Sequence, residues 1–436
     1  MADTIARPRR ILDTVRALRH PNYRIYFFSM LVSFTGTWMQ STAQSWLIYR
    51  MTSSPWLLGL VAFASQIPVF VFAPVGGVLA DRHSRHRLIV LTQTLAMAQA
   101  LVLAALTLTN HVTVEAVIGL AFLLGVVNAF DLPTRQSFVA ELVGRQDLMN
   151  AIALNSSMIN GARIVGPALA GLIVAWVGEG LCFLFNGLSY VAVIGGLLAM
   201  KLTARDSKTP SGSAFADLKE GFAFIRRTRP VRAVLLLVAF VSIFGLSYIV
   251  LMPIFANTIL GGGARSLGIL LSAAGLGALC GALTLAARRE VRGLGRVAAV
   301  SVAALGVLLV AFSFSRNIVL SAALLVPIGF TLMLQMSASN TLLQTMVPDR
   351  LRGRVMSFYS MSLMGMTPFG SLIAGGAAAR INAPWTIRAG GLLCIVGALV
   401  FGLRLSSMRD EAAQILTSQM AVPGEPAEAD TIEPLS

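Results

Sequence analysis

Twelve long apolar runs dominate this sequence, and short polar links separate most of them. Each run is about twenty residues long, which is enough for a helix to cross roughly 30 Å of hydrocarbon. Because a backbone inside a bilayer has no water to bond to, such runs fold as helices whose N–H and C=O groups bond to one another. The runs lie at about 25–49, 56–80, 88–108, 114–132, 148–177, 181–200, 233–257, 267–287, 297–314, 318–336, 356–379 and 387–405. The sequence therefore predicts an all-α membrane protein with twelve transmembrane helices.

The positions of the basic residues predict how these helices are oriented. The chain is 56% hydrophobic and carries a formal net charge of +15, from 34 Lys+Arg against 19 Asp+Glu. Most of the arginines and lysines precede the first run, follow the last run or occupy alternate links, and such positions face the cytoplasm. We therefore expect a multi-pass membrane protein with both termini in the cytoplasm. The basicity follows this topology and suits contact with anionic lipid headgroups, so nucleic-acid binding is not expected.

A long polar stretch after the sixth run divides the chain into two halves. The predicted segments are a cytoplasmic N-terminal lead-in at 1–20, a six-helix bundle at 21–200, a cytoplasmic loop at 201–232, a second six-helix bundle at 233–408 and an acidic tail at 409–436. The tail is rich in Asp, Glu and Pro and poor in aromatic residues, a composition that is typical of disordered segments.

The two halves also repeat one another at a constant offset of 204 residues. The matching pairs include Gly77 and Gly281, Gly166 and Gly370, Gly171 and Gly375, and Gln44 and Tyr248. A shared offset predicts two pseudo-symmetric bundles that are related by an axis along the membrane normal, with the substrate path between them. The second half has lost one charged position, because Leu285 stands where the first half has Asp81.

The link between the second and third runs is short and charged, and it joins two antiparallel helices. Residues 76–87 read Gly-Gly-Val-Leu-Ala-Asp-Arg-His-Ser-Arg-His-Arg. Asp81 follows the second run, where a carboxylate can cap the free N–H groups at the start of another helix, with 352–354 as the candidate. A solvated loop acid is the alternative interpretation.

Arg85 in the same link is expected near the inner end of the fourth run, where Asp131 is the nearest acid. A pair at this position is partly shielded from water, so it is worth more than the ~0–1 kcal/mol of an exposed ion pair. Such contacts would hold one conformation and break in the other. The predicted conformational latch comprises Gly77, Asp81, Arg85 and Asp131.

The fifth run contains a charge deep in the membrane. Arg163 lies about 15 residues into the run, roughly 22 Å from its inner end. An unpaired charge at that depth costs about 2.5–3.5 kcal/mol on insertion scales. One interpretation is an anion-binding or proton-coupling site that faces the cavity between the halves. The other is a structural arginine, bonded to backbone carbonyls and to Asn155 or Asn160, that braces the bend at Gly166-Pro167.

Several of these stretches resemble the signatures of one family. The link at 76–87 resembles the pattern G-x-L-a-D-r-x-G-R-[KR] of the major facilitator superfamily, with Ser84 where that pattern has Gly. The stretch at 160–171 resembles the antiporter motif g-x-x-x-G-P-x-x-G-G of the same superfamily. The residues of this antiporter-type motif are Arg163, Gly166, Pro167 and Gly171. The stretches at 21–24, 53–59 and 128–136 add to this similarity. The chain resembles the branch that includes the enterobactin exporter and macrolide-efflux-like drug:proton antiporters.

This resemblance implies a location in the bacterial inner membrane and export by alternating access, coupled to proton influx. It also implies that runs 1, 4, 7 and 10 line the substrate path, which is then polar and nearly free of acid. The predicted cavity residues are Gln40, Gln44, Asn128, Tyr248, Gln335 and Ser339. A cavity of this kind suits neutral or anionic amphiphiles better than polycations, and it leaves Asp131 as the proton carrier by elimination.

The sequence thus predicts a secondary transporter that exports a small amphipathic molecule, drug-like or siderophore-like. Uptake and the flipping of a lipid-like substrate are alternatives within transport, and a non-transporting membrane sensor that recruits a partner through its acidic tail is an alternative outside it. The sequence has no catalytic set, phosphate loop or metal-ligand spacing, so neither an enzyme nor a bound cofactor or metal is expected. The expected partners are the small-molecule substrate, protons and membrane lipid, and the protein is expected to act as a monomer.

Overall fold

The computed structural model describes residues 15–200, 214–287 and 293–420, and all regular secondary structure in these ranges is helical. In chain order the helices are α1 (Pro21–Thr52), α2 (Pro55–Arg82), α3 (Arg85–Leu108), α4 (Val114–Gly144), α5 (Gln146–Val177), α6 (Glu179–Ala199), α7 (Ala214–Arg227), α8 (Arg229–Ile259), α9 (Gly263–Ala287), α10 (Leu294–Phe314), α11 (Ile318–Met346), α12 (Asp349–Ser360), α13 (Thr367–Ile381) and α14 (Ala383–Met420). A short 3₁₀ helix, Arg16–Arg19, precedes α1, and a π-helical turn, Met361–Gly365, joins α12 to α13.

Ten of these helices are long and apolar enough to cross a membrane. They are α2 to α6, α8 to α11, and the apolar part of α14. The helix α1 is 32 residues long but carries many polar side chains, and the π-helical turn divides the segment formed by α12 and α13. Length and composition therefore bear out ten of the twelve expected spans.

The helix α4 continues beyond the expected end of the fourth run. The sequence suggests an end near 132, before Pro133, yet the helix extends to Gly144, where φ is +68°. Proline removes one backbone donor, and neighbouring groups can absorb that loss in a membrane helix. As a result the part of α4 nearer the base carries two acids, Asp131 and Glu141, roughly 15 Å apart along the helix axis.

The last helix also extends further than the sequence suggests. The helix α14 ends at Met420, so the prediction of a disordered tail from Arg409 is wrong as far as that residue. This part of the tail lacks Pro and Gly and contains Glu, Ala, Gln, Leu and Met, which favour helix. The rest of the tail at 421–436, the first part of the lead-in at 1–14 and the loop residues 201–213 lie outside the described residues.

The two halves of the chain contact each other mainly through two helix pairs, α5 with α9 and α2 with α13. Glycines permit close approach in both pairs. A Cβ at Gly171 would lie 3.0 Å from the Gly268 Cα, and a Cβ at Gly59 would lie 3.1 Å from the Gly375 Cα. Gly171 and Gly375 are separated by the 204-residue offset, so equivalent positions of the repeat serve the same interface.

The helix assembly has two ends, which we call the top, where Gly178 lies, and the base, where Gly144 lies. At the top, the hydroxyl of Tyr49 on α1 is hydrogen-bonded to the hydroxyl of Thr258 on α8. In the middle, the Phe70 ring of α2 packs against α13. These contacts join the halves at the top and in the middle of the assembly.

Candidate functional site

A buried ion pair lies inside the first half of the chain. Asp131 of α4 is only 2% exposed, and its Oδ2 lies 2.6 Å from the Nε of Arg135, one helical turn further along. Its Oδ1 accepts hydrogen bonds from the Thr92 hydroxyl at 2.8 Å and from the Gln93 side-chain amide at 3.0 Å, both on α3. A carboxylate at this depth needs such partners to remain charged. The pair therefore links α4 to α3.

A small polar cavity lies beside this pair. The Arg135 guanidinium lies over the Phe34 ring of α1, 4.7 Å from its centroid, which is a cation–π contact. The adjacent cavity has a volume of about 30 Å³, large enough for one water molecule. The polar side chains in its wall are Ser33, Thr37, Gln93, Asn128, Asp131, Arg135 and Tyr190. Asp131 thus borders a polar space inside the protein.

The expected ion pair between Arg85 and Asp131 is not formed. Arg85 pairs with Glu141 near the base end of α4, and Asp131 lies roughly 15 Å deeper, with an arginine of its own helix. The prediction is wrong because it ends the helix before Pro133 and so leaves Glu141 in a loop. The side chain of Asp81 lies outside the described part of the structure.

Gly77, another residue of the expected latch, has open space around it. No atom lies within 4 Å of the position that its Cβ would take, whereas a Cβ at Gly76 would overlap the Ala129 carbonyl of α4. Gly76 is therefore the glycine that lets α2 approach α4 closely.

Arg163 lies where the two halves meet. Its guanidinium lies over the Trp38 ring of α1, 5.5 Å from the centroid. Tyr248 on α8 is a further neighbour of this guanidinium. Among the residues that the structure describes, none forms an ion pair or a hydrogen bond with this guanidinium. Asn160 donates instead to the Ser156 carbonyl of its own helix at 2.9 Å. The bonds to backbone carbonyls and to Asn155 or Asn160 that the structural interpretation expects are therefore not formed among the described residues.

The rest of the antiporter-type motif packs α5 against two helices. A Cβ at Gly166 would lie 2.6 Å from the Trp38 Cβ, so this glycine brings α5 against α1. Further along, the Pro167 carbonyl and Gly171 both face Gly268 of α9, in the other half. The motif therefore holds this stretch of α5 between α1 and the second half.

Gln40, an expected cavity residue, points into the first half. Its side-chain nitrogen donates to the Gln99 oxygen of α3 at 3.0 Å, and its oxygen accepts from Asn186 of α6 at 2.7 Å. It ties three helices of one half together, so the prediction that it faces the central path is wrong. Gln44, one turn closer to the top, is also buried.

Gln335 and Ser339 form a neutral counterpart of the ion pair in the second half. Gln335 donates to the Ser339 hydroxyl at 3.1 Å, and both residues are fully buried. The 204-residue offset relates them to Asp131 and Arg135. Sequence reasoning missed Arg135, although its spacing of four residues from an acid places both side chains on one helix face. The repeat thus has a charged pair in one half and a neutral pair in the other.

The described residues offer no candidate metal site, because no three His, Cys, Asp or Glu side chains come together in them. Cys182 and Cys394 are buried free thiols, and Cys280 is an exposed one. The charged groups available at the centre of the described assembly are therefore those of Arg163 and of the Asp131–Arg135 pair.

Residues 13–430 match the family model described as transmembrane secretion effector. The chain belongs to this family. Its members are major facilitator transporters and not enzymes, so the protein is a membrane transporter.

Three relatives with assigned names cover most of the transporter. The staphyloferrin A transporter of Staphylococcus aureus is 25% identical over 352 residues, which cover 80% of this chain and 88% of that one. The enterobactin exporter EntS of Shigella boydii is 24% identical over 382 residues, covering 87% and 91% of the two chains. The multidrug efflux pump Tap of Mycolicibacterium fortuitum is 25% identical over 361 residues, covering 80% and 88%.

Solved structures show the fold of the transporter. The nucleoside transporter NupG superposes with a TM-score of 0.69 at 15% identity, covering 88% of this chain and 98% of that one. A POT family transporter in complex with 5-aminolevulinic acid superposes with a TM-score of 0.73 at 10% identity, covering 89% and 96%. At these identities the similarity concerns the fold alone.

Proposed function

We propose that the protein exports small amphipathic molecules across the bacterial inner membrane by alternating access, driven by proton influx. The names of its relatives support this class of function, since they include a siderophore transporter, a siderophore exporter and a multidrug efflux pump. The observation that carries the proton coupling is the buried Asp131–Arg135 pair, because it places a titratable group inside the membrane beside a polar cavity. Carboxylates in such positions serve as proton relays in transporters.

The proposed topology has twelve spans in two six-helix bundles. In addition to the ten apolar helices, α1 forms one span, and α12 and α13 together form another. The base would face the cytoplasm, because α1 begins there after Arg16 and Arg19 and because the link at 82–87 is rich in arginine. Both chain termini would then be cytoplasmic, as the distribution of basic residues suggests.

Protonation of Asp131 would remove one charge of the pair. A neutral carboxylic acid no longer attracts Arg135 strongly, so the contacts that join α4 to α3 and α1 would weaken together. A shift of the two-state balance from 1:99 to 99:1 requires about 5.5 kcal/mol. The substrate must therefore add differential affinity for one state. Gln335 and Ser339 carry no charge, so the equivalent positions of the second half offer no such site for a proton.

The contacts at the top suggest which state the structure represents. The hydrogen bond between Tyr49 and Thr258 and the close glycine crossings join the halves there. With the base in the cytoplasm, a closed top corresponds to the inward-facing state, which takes substrate from the cytoplasm. In the outward-facing state these contacts would break and the base would close.

Purified protein in proteoliposomes with an acidic lumen provides the test. We would measure accumulation of ethidium, N-phenyl-1-naphthylamine and fluorescein, which are cationic, neutral and anionic fluorescent probes. We expect accumulation of at least one probe, and we expect a protonophore to abolish it. Asp131→Asn should lose this gradient-driven accumulation but retain exchange of probe between the lumen and the bath.

Two outcomes would contradict the proposal. Gradient-driven accumulation by Asp131→Asn at the wild-type rate would exclude proton coupling through this residue. Failure of the wild-type protein to accumulate any of the three probes would count against export of amphipathic molecules.

A further inference from the structure

Three residues at the junction of the halves form a group that the proposed proton step does not use. Trp38 of α1 and Arg163 of α5 come from the first half. Tyr248 comes from the second half, where it lies in the 3₁₀ turn Ser247–Leu251 within α8. We call these three residues the Arg163 cluster.

Two polar groups of the Arg163 cluster lack an acceptor. The Arg163 guanidinium offers five N–H donors, and no described residue accepts from any of them. Tyr248 is only 2% exposed, and its hydroxyl has no hydrogen-bond partner among the described residues. A buried hydroxyl without a partner is costly, and the Arg163 side chain beside it is only partly buried, so the cluster is suited to a ligand that brings acceptor oxygens.

Four of the described acids of the first half are engaged elsewhere, and Glu115 is exposed at the top, at the start of α4. The described ion pairs there join Asp131 to Arg135, Glu141 to Arg85, Asp147 to Arg16 and Glu179 to Arg50. None of these carboxylates pairs with the Arg163 guanidinium. A negative charge from outside the protein is therefore the counter-charge that fits this position.

The surrounding packing holds the Arg163 cluster in place. Gly166 lets the Trp38 backbone approach α5, and Ser272 of α9 donates to the Ile164 carbonyl at 2.7 Å. These contacts fix the stretch of α5 next to Arg163 against both α1 and α9. The indole of Trp38 adds a flat apolar surface, against which an aromatic ring packs well.

We propose that the Arg163 cluster binds the anionic end of the exported molecule, and that this molecule carries a carboxylate on a planar aromatic ring. The carboxylate accepts two hydrogen bonds from the fork of Arg163 and one from the Tyr248 hydroxyl, while the ring lies alongside Trp38. Because Tyr248 belongs to the second half, the ligand bridges the two halves. This inference rests on the proposed function, since it names the substrate class of that exporter.

Two probes with the same ring separate charge from shape, namely 2-naphthoate and 2-naphthamide. Their affinities are measured by titration calorimetry with the full-length protein in lipid nanodiscs. We expect the wild type to bind naphthoate about tenfold more tightly, because hydrogen bonds to a charged acceptor are the stronger ones. Arg163→Gln should lower the naphthoate affinity about tenfold, to near that of naphthamide, and should lower the naphthamide affinity much less, because a neutral acceptor gains less from the guanidinium charge. Arg163→Lys should keep part of the preference, since it retains the charge but not the planar fork.

Arg388→Gln is the matched control. Arg388 also lies over a tryptophan ring, that of Trp385, 4.1 Å from the centroid, but it belongs to the start of α14 at the top of the second half. Its substitution removes a similar arginine–indole contact away from the cluster. The preference for naphthoate should therefore be unchanged in this variant.

Equal affinities of the wild type for the two probes, or a preference that survives Arg163→Gln, would overturn the proposal. If Arg163→Gln loses naphthamide binding as well, Tyr248→Phe decides. A selective loss of naphthoate affinity of about threefold or more supports the site, and an unchanged preference overturns it.

The binding assay also separates this proposal from the proposed function. Gradient-driven accumulation of ethidium without any naphthoate preference would remove the anion site and leave the exporter standing. A naphthoate preference that depends on Arg163, without gradient-driven accumulation of any probe, would support the site and count against proton-coupled export.

Discussion

Phe34 and Trp38 lie one turn apart on α1, and each ring lies against an arginine from another helix. Phe34 contacts Arg135 of the buried ion pair, with 4.7 Å between guanidinium and ring centroid, and Trp38 contacts Arg163 at 5.5 Å. A movement of α1 therefore displaces the proposed proton site and the proposed substrate site together. The two arginines are on different helices, but Phe34 and Trp38 on one turn of α1 contact both of them.

Phe34→Leu tests the first of these contacts. Leucine retains an apolar side chain but has no aromatic face, so the substitution should cost about 0.5–2 kcal/mol of stability. Phe28→Leu is the control, because Phe28 lies on the same helix and is largely exposed. Unfolding of the purified proteins in detergent measures both effects. Equal losses in the two variants would mean that the contact with Arg135 contributes nothing.

Removal of Arg135 alone should lower the stability of the protein more than removal of both charges of the pair. Arg135→Ala leaves the carboxylate of Asp131 buried and unpaired, which costs about 3–5 kcal/mol. The double variant D131N/R135Q has no charge to compensate, so we expect it to be more stable than R135A. Denaturation of both variants in detergent measures which of them is more stable. The reverse order would show that another group compensates the Asp131 charge.

Gly166→Ala should separate α1 from α5. The new Cβ would lie 2.6 Å from the Trp38 Cβ and 2.9 Å from the Thr35 carbonyl oxygen, so we expect a loss of about 1–3 kcal/mol of stability. Gly161→Ala on the same helix has no atom within 4 Å of the new Cβ, and it should be neutral or gain up to about 1 kcal/mol from helix propensity. Thermal unfolding and naphthoate affinity are the measurements. Similar behaviour of the two variants would refute close packing at Gly166.

Gly76→Ala and Gly77→Ala should differ sharply although the residues are adjacent. The Cβ added at Gly76 overlaps the Ala129 carbonyl of α4, whereas the Cβ added at Gly77 meets open space. We therefore expect Gly76→Ala to lower stability and transport and Gly77→Ala to leave both near the wild-type level. Expression level, unfolding in detergent and probe accumulation test this. Loss of transport only in Gly77→Ala would mean that Gly77 contacts a neighbour in the other conformation.

A cross-link at the top should arrest the transport cycle. The hydroxyls of Tyr49 and Thr258 are in contact, so the two thiols of Y49C/T258C are separated by roughly the length of a tyrosine side chain, which is too far for a direct disulfide. A bifunctional methanethiosulfonate reagent should bridge them in a background without Cys182, Cys280 and Cys394. Accumulation of the probes should stop and then recover on reduction, while each single variant remains active. Full transport by the cross-linked protein would contradict an opening at this end.

The class of fold followed from the sequence alone, because a run of about twenty apolar residues has one stable backbone structure in a bilayer. The helix bounds are also close where the chain has strong end signals. Ser54 and Pro55 begin α2, and Gly178 separates α5 from α6. Pro133 was the misleading signal, because a proline that would end a helix in water is tolerated inside a membrane. That single boundary decided whether Arg85 was expected to meet Asp131 or Glu141.

Only the tertiary structure decided which way each side chain points. Polar residues mark the surface of a water-soluble helix, but a membrane helix meets apolar neighbours on both its lipid side and its protein side. Hydrophobic periodicity therefore says little about its rotation, and Gln40 lies inside the first half instead of in the central path. The depth of Arg163 was evident from the sequence. Its position beside Trp38 and Tyr248, without an acid among the described residues, exists only because α1, α5 and α8 pack together.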